Sequence, residues 1–238
     1  MGGGVSKGMQ AGVKTASPAE LQQAVGGLDA AEKAKLLDAL KVDDVPKAPT
    51  SITVYYWGPT VMNAYGRAIG IYLTLDQAGV KYDMKGPSDM PEGCAMAVPV
   101  IDIDGFCMGQ CPAILVALGE MFQLSGKTPE EKMRCLQALE DMNDVFGERV
   151  KISEDAERKK KWFTYLDKKI QDKKWLAGTC EPTVADFHGV FAFETLKTKS
   201  VDFSEYPNMT KWWADIQAYP VVAKMYESLV DGRVMIPP

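Results

Sequence analysis

The chain has 238 residues, of which 46% are hydrophobic and 25% charged, the composition of an ordinary soluble globular protein. Its formal net charge of −5 gives no general electrostatic attraction to nucleic acid or anionic lipid, so no nucleic-acid partner is expected. No apolar run approaches the roughly 18 residues that a membrane span needs, and the N-terminus lacks the apolar core of a secretory signal, so a cytoplasmic location is expected.

Five cysteines are scattered along the chain, and this odd count fits a reducing compartment better than a disulfide framework. Cys107 and Cys111 stand four positions apart, but the other cysteines supply no second pair for zinc, so no metal is expected. Their spacing also differs from the C-x-x-C of thiol redox motifs. Both are predicted to be small, partly buried apolar residues, and the single histidine, His188, to be a satisfied helix residue.

Residues 1–50 form a predicted N-terminal extension. The first fifteen are Gly-rich and polar, which favours a flexible start. A capping box at Ser17 begins one short helix, and Asp29 caps a second. Two short helices are not stable alone in water, so this hairpin is expected to dock on the main domain or on a partner.

The first residues also match the N-myristoylation pattern, with Gly2 as the acceptor and Ser6 four positions later. The alternative is an unmodified, flexible Gly-rich start. A single acyl chain gives only marginal, reversible membrane binding. An acylated chain would therefore be mainly cytoplasmic, with transient contact to a membrane or a protein partner through the extension.

Residues 51–125 read as an α/β domain. A strand at 52–57, a helix at 63–79 and a second strand at 80–84 make a βαβ unit. Asp104-Gly105 is the strongest short hairpin signal, and a helix follows from Cys111. After residue 128 only helical patterns remain, including a capping box from Thr183 to Asp186. Residues 128–238 are therefore predicted to form an all-helical domain.

Three motifs in this order resemble the glutathione transferase family over about residues 52–232. They are "AVPVIDIDG" followed by "GQCPAIL", the capping box "TVADF", and the final helices "YPNMTKWWADIQAYPVVAKMYES". The resemblance implies a thioredoxin-like N-terminal domain that binds glutathione as co-substrate, followed by an all-helical C-terminal domain. It is nearest to the sigma-like, tyrosine-type classes.

The resemblance also implies a set of glutathione-binding residues. Pro99 matches the family's cis-proline, which turns the backbone of Val98 toward the peptide. Gln110 and Cys111 stand where the family has a Gln-Ser pair at a helix N-terminus. Because a thiol is a weak hydrogen-bond donor, we expect glutathione to bind about tenfold more weakly with Cys111 than with serine. Lys85 is a candidate for the glycyl carboxylate.

The catalytic group of the tyrosine-type classes is a hydroxyl at the end of the first strand, which stabilises the glutathione thiolate. Tyr56 fits this position, and Arg67 matches the arginine that lies near the catalytic ring. The loop between strand and helix is about five residues longer than the family's, so either it bulges and Tyr56 keeps its place or the site is altered. Tyr55 and Thr60 are the alternatives to Tyr56.

Two functions remain open from the sequence. One is an enzyme that conjugates glutathione to small apolar electrophiles, in a detoxification role and as a homodimer. In that case Asp141 or Asp144 reaches across the dimer to the glutathione amine. The other is a non-catalytic scaffold or subunit of a larger complex built on the same fold, since fold alone does not fix function.

Overall fold

The computed structural model describes residues 49–57 and 66–227, together with the backbone of residues 229–230 and 233–234. The predicted N-terminal hairpin, Gly2 and Thr60 lie outside the described residues. The described residues belong to one compact unit that begins at Pro49. Within them, no helix is long and apolar enough to cross a membrane.

A mixed four-stranded sheet organises the first part of this unit. Its strands are β1 (Ile52–Tyr55), β2 (Asp83–Lys85), β3 (Val100–Ile103) and β4 (Phe106–Gly109), in the order β2-β1-β3-β4. β1 and β2 are parallel and the other pairs antiparallel. A parallel pair needs a crossover, which α1 (Ile69–Ala78) provides after a 3-10 turn at Gly66–Ala68. Val54 and Ile101 face each other across β1 and β3 and are fully buried.

The predicted hairpin between β3 and β4 is confirmed. Asp104 and Gly105 both have positive φ, 51° and 86°, as a tight two-residue turn requires. The Asp104 carboxylate accepts the backbone N–H groups of Thr50 and Ser51 at 2.9 and 2.8 Å. The turn residue therefore also fixes the start of β1.

Cys107 on β4 forms a disulfide with Cys94, with their Cα atoms 5.8 Å apart. The prediction that Cys107 is only an apolar strand residue is therefore wrong, and the cysteine argument for a reducing compartment loses its basis. The two cysteines are separated by 13 positions, and no spacing motif marks them as a pair. Cys94 lies in the short connection between β2 and β3. In this connection a 3-10 turn forms at Pro87–Asp89.

The rest of the unit is mainly helical, which confirms the predicted α/β plus all-α fold class. Its helices are α2 (Cys111–Met121), α3 (Pro129–Gly147), α4 (Arg149–Glu154), α5 (Ala156–Ile170), α6 (Val184–Lys197), α7 (Pro207–Gln217) and α8 (Pro220–Glu227). The prediction of a wholly helical tail is wrong, because β5 (Leu229–Val230) and β6 (Arg233–Val234) pair at its end. The sequence Asp231-Gly232 between them is a hairpin signal that the helical interpretation overlooked.

Helix α6 is central, because all its residues from Val184 to Phe193 are buried. Its predicted capping box is confirmed: Asp186 accepts the Thr183 N–H at 2.8 Å. The same carboxylate accepts the Trp212 indole N–H and the Leu176 N–H, both at 2.9 Å. This buried carboxylate therefore joins the start of α6 to α7, through Trp212, and to the loop that precedes α6, through Leu176.

The helical pattern of the sequence from Pro129 runs through Val150, but α3 ends at Gly147. Glu148 follows it, and its carboxylate is held by the Arg158 guanidinium and by the Trp162 indole N–H at 3.1 Å. A new helix, α4, begins at Arg149. The end of α3 lies next to the Gly66–Ala68 turn, where the Arg67 guanidinium lies over the Phe146 ring.

Candidate active site

The backbone of Arg67 connects the end of β1 to the start of α2. Its N–H donates to the Tyr56 hydroxyl at 2.8 Å, and its carbonyl accepts the Cys111 thiol at 3.3 Å. Tyr56 directly follows β1, and Cys111 is the first residue of α2. The backbone N–H and C=O of one residue therefore bring together three residues that the sequence predicted for the site.

Tyr56 is buried, and burial raises the pKa of its phenol, although the Arg67 N–H partly offsets this. The hydroxyl is therefore protonated at neutral pH. Among the described residues, no acceptor takes its proton, so the group is placed to donate a hydrogen bond. Gly66 makes this arrangement possible: a Cβ there would lie 2.6 Å from the phenol oxygen.

The structure favours Tyr56 over Tyr55 as the residue that belongs to this cluster. Tyr55 is the last residue of β1 and is paired in the sheet with Lys85 and Val100. It is the hydroxyl of Tyr56, not that of Tyr55, that reaches Arg67. The longer loop therefore leaves the end of β1 next to the Gly66–Ala68 turn.

The two backbone features to which the resemblance assigns glutathione binding lie next to β3 and α2. The Val98–Pro99 peptide is cis, as predicted. Gln110 is exposed, precedes α2 and has φ 69° and ψ 111°, a conformation rare for a residue with a side chain. It lines a groove together with residues of the Gly66–Ala68 turn, of α2 and of α3, namely Arg67, Cys111, Pro112, Ala113, Val116, Glu140 and Asn143. The Gln110 side chain makes no capping hydrogen bond to α2, whose first three residues line this groove.

The Cys111 side chain is buried, whereas the family's serine at this position is expected to donate a hydrogen bond to glutathione. The residue is 4% exposed, and burial raises the pKa of its thiol to about 12, so it stays protonated. Its S–H is used by the Arg67 carbonyl. A ligand in the groove would therefore meet the backbone of Cys111 and not its sulfur.

Two predicted glutathione contacts are not brought to the groove. Lys85 is exposed on β2, and its carbonyl accepts the Tyr56 N–H at 3.0 Å. Asp141 forms an ion pair with Lys169 and accepts the Tyr165 hydroxyl at 3.0 Å. Its expected role across a dimer stays a prediction. On the same helix, the side chains nearer the groove are those of Glu140 and Asn143, which sequence reasoning missed.

His188 is on α6, as predicted, but it is not satisfied. The residue is 1% exposed, and neither ring nitrogen has a hydrogen-bond partner among the described residues. Burial, with a smaller contribution from the Arg67 charge, lowers the pKa of the imidazole to about 4. His188 is therefore a neutral, largely apolar part of the wall behind Arg67.

Two guanidinium groups lie over one aromatic ring near the end of α3. The Arg67 Cζ lies 4.6 Å from the centroid of the Phe146 ring, and the Arg149 Cζ lies 4.3 Å from it. Phe146 also contacts Phe191 of α6, with ring centroids 4.5 Å apart. Sequence reasoning missed this cluster, because Arg67, Phe146 and Phe191 lie far apart in the chain. No group of three His, Cys, Asp or Glu residues in the described ranges could hold a metal.

Residues 106–220 match the family model described as Glutathione S-transferase, C-terminal domain. Among curated proteins, glutathione S-transferase Y-2 of Pichia kudriavzevii is 26% identical over 191 residues, covering 74% of this chain and all of the relative. Hematopoietic prostaglandin D synthase of Gallus gallus is 26% identical over 183 residues, covering 69% of this chain and 92% of the relative.

Solved structures show the same fold. A glutathione S-transferase of Caenorhabditis elegans gives a TM-score of 0.62 at 24% identity, covering 74% of this chain and 97% of that one. The enzyme of Ascaris lumbricoides gives a TM-score of 0.64 at 22% identity, covering 75% of this chain and 97% of that one.

A third curated relative, putative glutathione S-transferase alpha-3 of Dictyostelium discoideum, is 31% identical over 149 residues, covering 58% of this chain and 73% of the relative. The chain therefore belongs to the glutathione S-transferase family.

Proposed function

We propose that the protein is a glutathione transferase that conjugates glutathione to small apolar electrophiles, with Tyr56 as the thiol-activating residue. The observation that carries the proposal is the Tyr56 hydroxyl itself. It accepts the N–H of Arg67, which lines the groove with Gln110, at 2.8 Å and keeps its own proton free to donate. The names of the curated relatives support a transferase of this type.

In this proposal Tyr56 donates its proton in a hydrogen bond to the glutathione sulfur and so favours the thiolate over the thiol. Each unit by which the thiol pKa falls requires about 1.4 kcal/mol of preferential stabilisation of the thiolate. One hydrogen bond to a charged acceptor supplies about 1.5–3 kcal/mol. The thiol proton goes to solvent, the sulfur forms a bond to the electrophilic carbon, and a halide or similar group leaves with its bonding electrons.

The peptide part of glutathione would be held by backbone and by Gln110. The cis Val98–Pro99 peptide presents the Val98 N–H and C=O as a short strand edge. The start of α2 offers N–H groups and a positive dipole end to the γ-glutamyl carboxylate. Lys85 is exposed on β2 and does not line the groove, so the proposal does not assign it the glycyl carboxylate.

The test is the Tyr56→Phe variant, with Tyr55→Phe as the matched control. We expect Tyr56→Phe to lower kcat/KM for 1-chloro-2,4-dinitrobenzene by about tenfold to a hundredfold, the worth of one charged hydrogen bond. Glutathione affinity, measured by calorimetry, should change little in either variant. Equal rates for wild type and Tyr56→Phe would contradict the assignment. Binding of glutathione with no conjugation by wild type would favour the scaffold function instead.

We also propose that the protein is a homodimer. Three apolar side chains on α2 and α3 are exposed: Val116 is 36%, Met133 63% and Leu136 49% exposed. They surround a surface groove with Cys135 and Leu139 at its base. A second copy would cover this apolar surface. Sedimentation should show a dimer that Leu136→Glu converts to a folded monomer; a wild-type monomer at micromolar concentration would refute it.

A further inference from the structure

Two positive charges share one aromatic ring at the edge of the candidate active site. The guanidinium carbons of Arg67 and Arg149 lie 4.6 and 4.3 Å from the Phe146 ring centroid. The two carbons are therefore no farther apart than the sum of these distances, about 9 Å. Like charges at this separation repel each other, more so beside a low-dielectric protein surface than in water.

Neither guanidinium is neutralised by a carboxylate among the described residues. Arg149 donates one N–H to the Phe146 carbonyl at 2.9 Å and forms no ion pair in the described part of the chain. The acid next to it, Glu148, is already held by Arg158 and Trp162. The remaining guanidinium donors of both arginines are therefore left for a ligand, and a planar carboxylate matches their geometry.

The ring between the two charges packs on other rings, while Arg67 also borders the polar side chains Glu140 and Asn143 of the groove. Phe146 packs on Phe191 with centroids 4.5 Å apart, and the Phe191 ring lies 5.8 Å from that of His188. Burial of His188 lowers its pKa to about 4, so the imidazole adds no third charge at neutral pH. This combination suits an anion attached to an aromatic or aliphatic body better than a small inorganic anion, which would gain nothing from the rings.

The same arginine links this cluster to the chemistry. The Arg67 backbone N–H lies on the Tyr56 hydroxyl at 2.8 Å, while its side chain reaches Phe146. A ligand held by the guanidinium would therefore lie one arginine side chain away from the proposed position of the glutathione sulfur. That separation leaves room for an aryl group between a bound carboxylate and a reacting carbon.

We propose that Arg149, together with Arg67 and the ring of Phe146, forms a subsite for the carboxylate of an anionic electrophile with an apolar body. The proposal rests on the proposed transferase function and names the substrate class of the same site. Arg149 is then a specificity-determining residue, while Arg67 also serves the Tyr56 hydroxyl.

Binding of an unreactive ligand pair tests the subsite without catalysis. The pair is 4-propanoylphenoxyacetate and its methyl ester, titrated by calorimetry with saturating S-methylglutathione, whose own carboxylates then cannot compete. Wild type should bind the acid about tenfold more tightly than the ester, from one charge-assisted hydrogen-bonded pair. Arg149→Gln should bring the ratio to about one, chiefly by weakening the acid. Lys151→Gln, which removes an exposed charge two residues away on α4, should leave the ratio unchanged.

Measurements of turnover distinguish a failure of the carboxylate subsite from a failure of the proposed transferase function. The reactive pair is 4-acryloylphenoxyacetate and its methyl ester; sulfur adds to the terminal alkene carbon, and the resulting enolate takes a proton from solvent. Wild type should prefer the acid by kcat/KM, and Arg149→Gln should lose that preference. If the ester is conjugated but the acid is neither bound nor conjugated better, the subsite is refuted and the transferase stands. If the acid binds selectively and neither compound reacts, the transferase function is refuted and the subsite stands.

An equal loss of affinity for acid and ester in Arg149→Gln would assign Arg149 a structural role at the end of α3 and overturn the proposal. Thermal unfolding of the variant, compared with that of Lys151→Gln, identifies such a general defect. An acid preference that survives in Arg149→Gln would place the carboxylate elsewhere in the groove and would overturn it as well.

Discussion

Replacing Gln110 by glycine is expected to stabilise the protein and weaken glutathione binding. Gln110 has φ 69° and ψ 111°, outside the left-handed helical region, and its side chain makes no capping hydrogen bond to α2. Such a conformation costs a residue with a side chain about 1–3 kcal/mol, whereas the extra freedom of glycine in the unfolded chain costs about 0.4–1 kcal/mol. The net gain of about 1 kcal/mol raises Tm by about 2–4 °C for a unit of this size.

The matched control is Gln123→Gly. Gln123 also has positive φ, 59°, and is exposed, but it follows α2 and does not line the groove with Gln110. Both variants should be more stable in thermal unfolding. Only Gln110→Gly should lose glutathione affinity, by about tenfold or more, since a hydrogen bond to a charged group is worth about 1.5–3 kcal/mol. A destabilised Gln110→Gly would refute the strain argument, and unchanged affinity would remove Gln110 from the site.

Three further outcomes follow from the described contacts. Gly66→Ala should lower conjugation activity, because its Cβ would lie 2.6 Å from the Tyr56 hydroxyl, whereas Gly79→Ala, with similar φ but open space, should lose only stability. His188 has a folded pKa of about 4 against 6.5 when exposed, so stability should fall by about 3 kcal/mol as pH drops through that window, and His188→Leu should remove this part. Cys94→Ser should cost about 2–3 kcal/mol and abolish the effect of a reducing agent on urea unfolding.

Local chemistry could be predicted from the sequence wherever a few adjacent residues decide the structure. The Asp104-Gly105 turn and the Thr183–Asp186 capping box depend on backbone conformation and on side chains within a few positions. The cis peptide before Pro99 was predicted from a resemblance to a family motif, and it is present.

The contacts that sequence reasoning missed join residues far apart in the chain. Cys94 and Cys107 meet because β4 returns beside the preceding connection, and nothing in their spacing announces it. Arg67 precedes α1 and Phe146 lies near the end of α3, so no local pattern joins them. The side chain of Cys111 was expected to face a ligand, and the position alone could not show that its thiol turns inward to the Arg67 carbonyl.

In the proposed reaction Arg67 would act on both substrates, on glutathione through Tyr56 and on the electrophile through its own guanidinium. Its backbone holds the Tyr56 hydroxyl, and its guanidinium lies on Phe146. An electrophile that moves the guanidinium would therefore also change the free energy of the contact between the Arg67 N–H and the Tyr56 hydroxyl, the group proposed to bind the glutathione sulfur. Thermodynamic linkage makes this coupling reciprocal: the factor by which an anionic electrophile changes glutathione affinity must equal the factor by which glutathione changes electrophile affinity. The order in which the two substrates bind then cannot alter the total binding free energy of the ternary complex, only its division between the two steps.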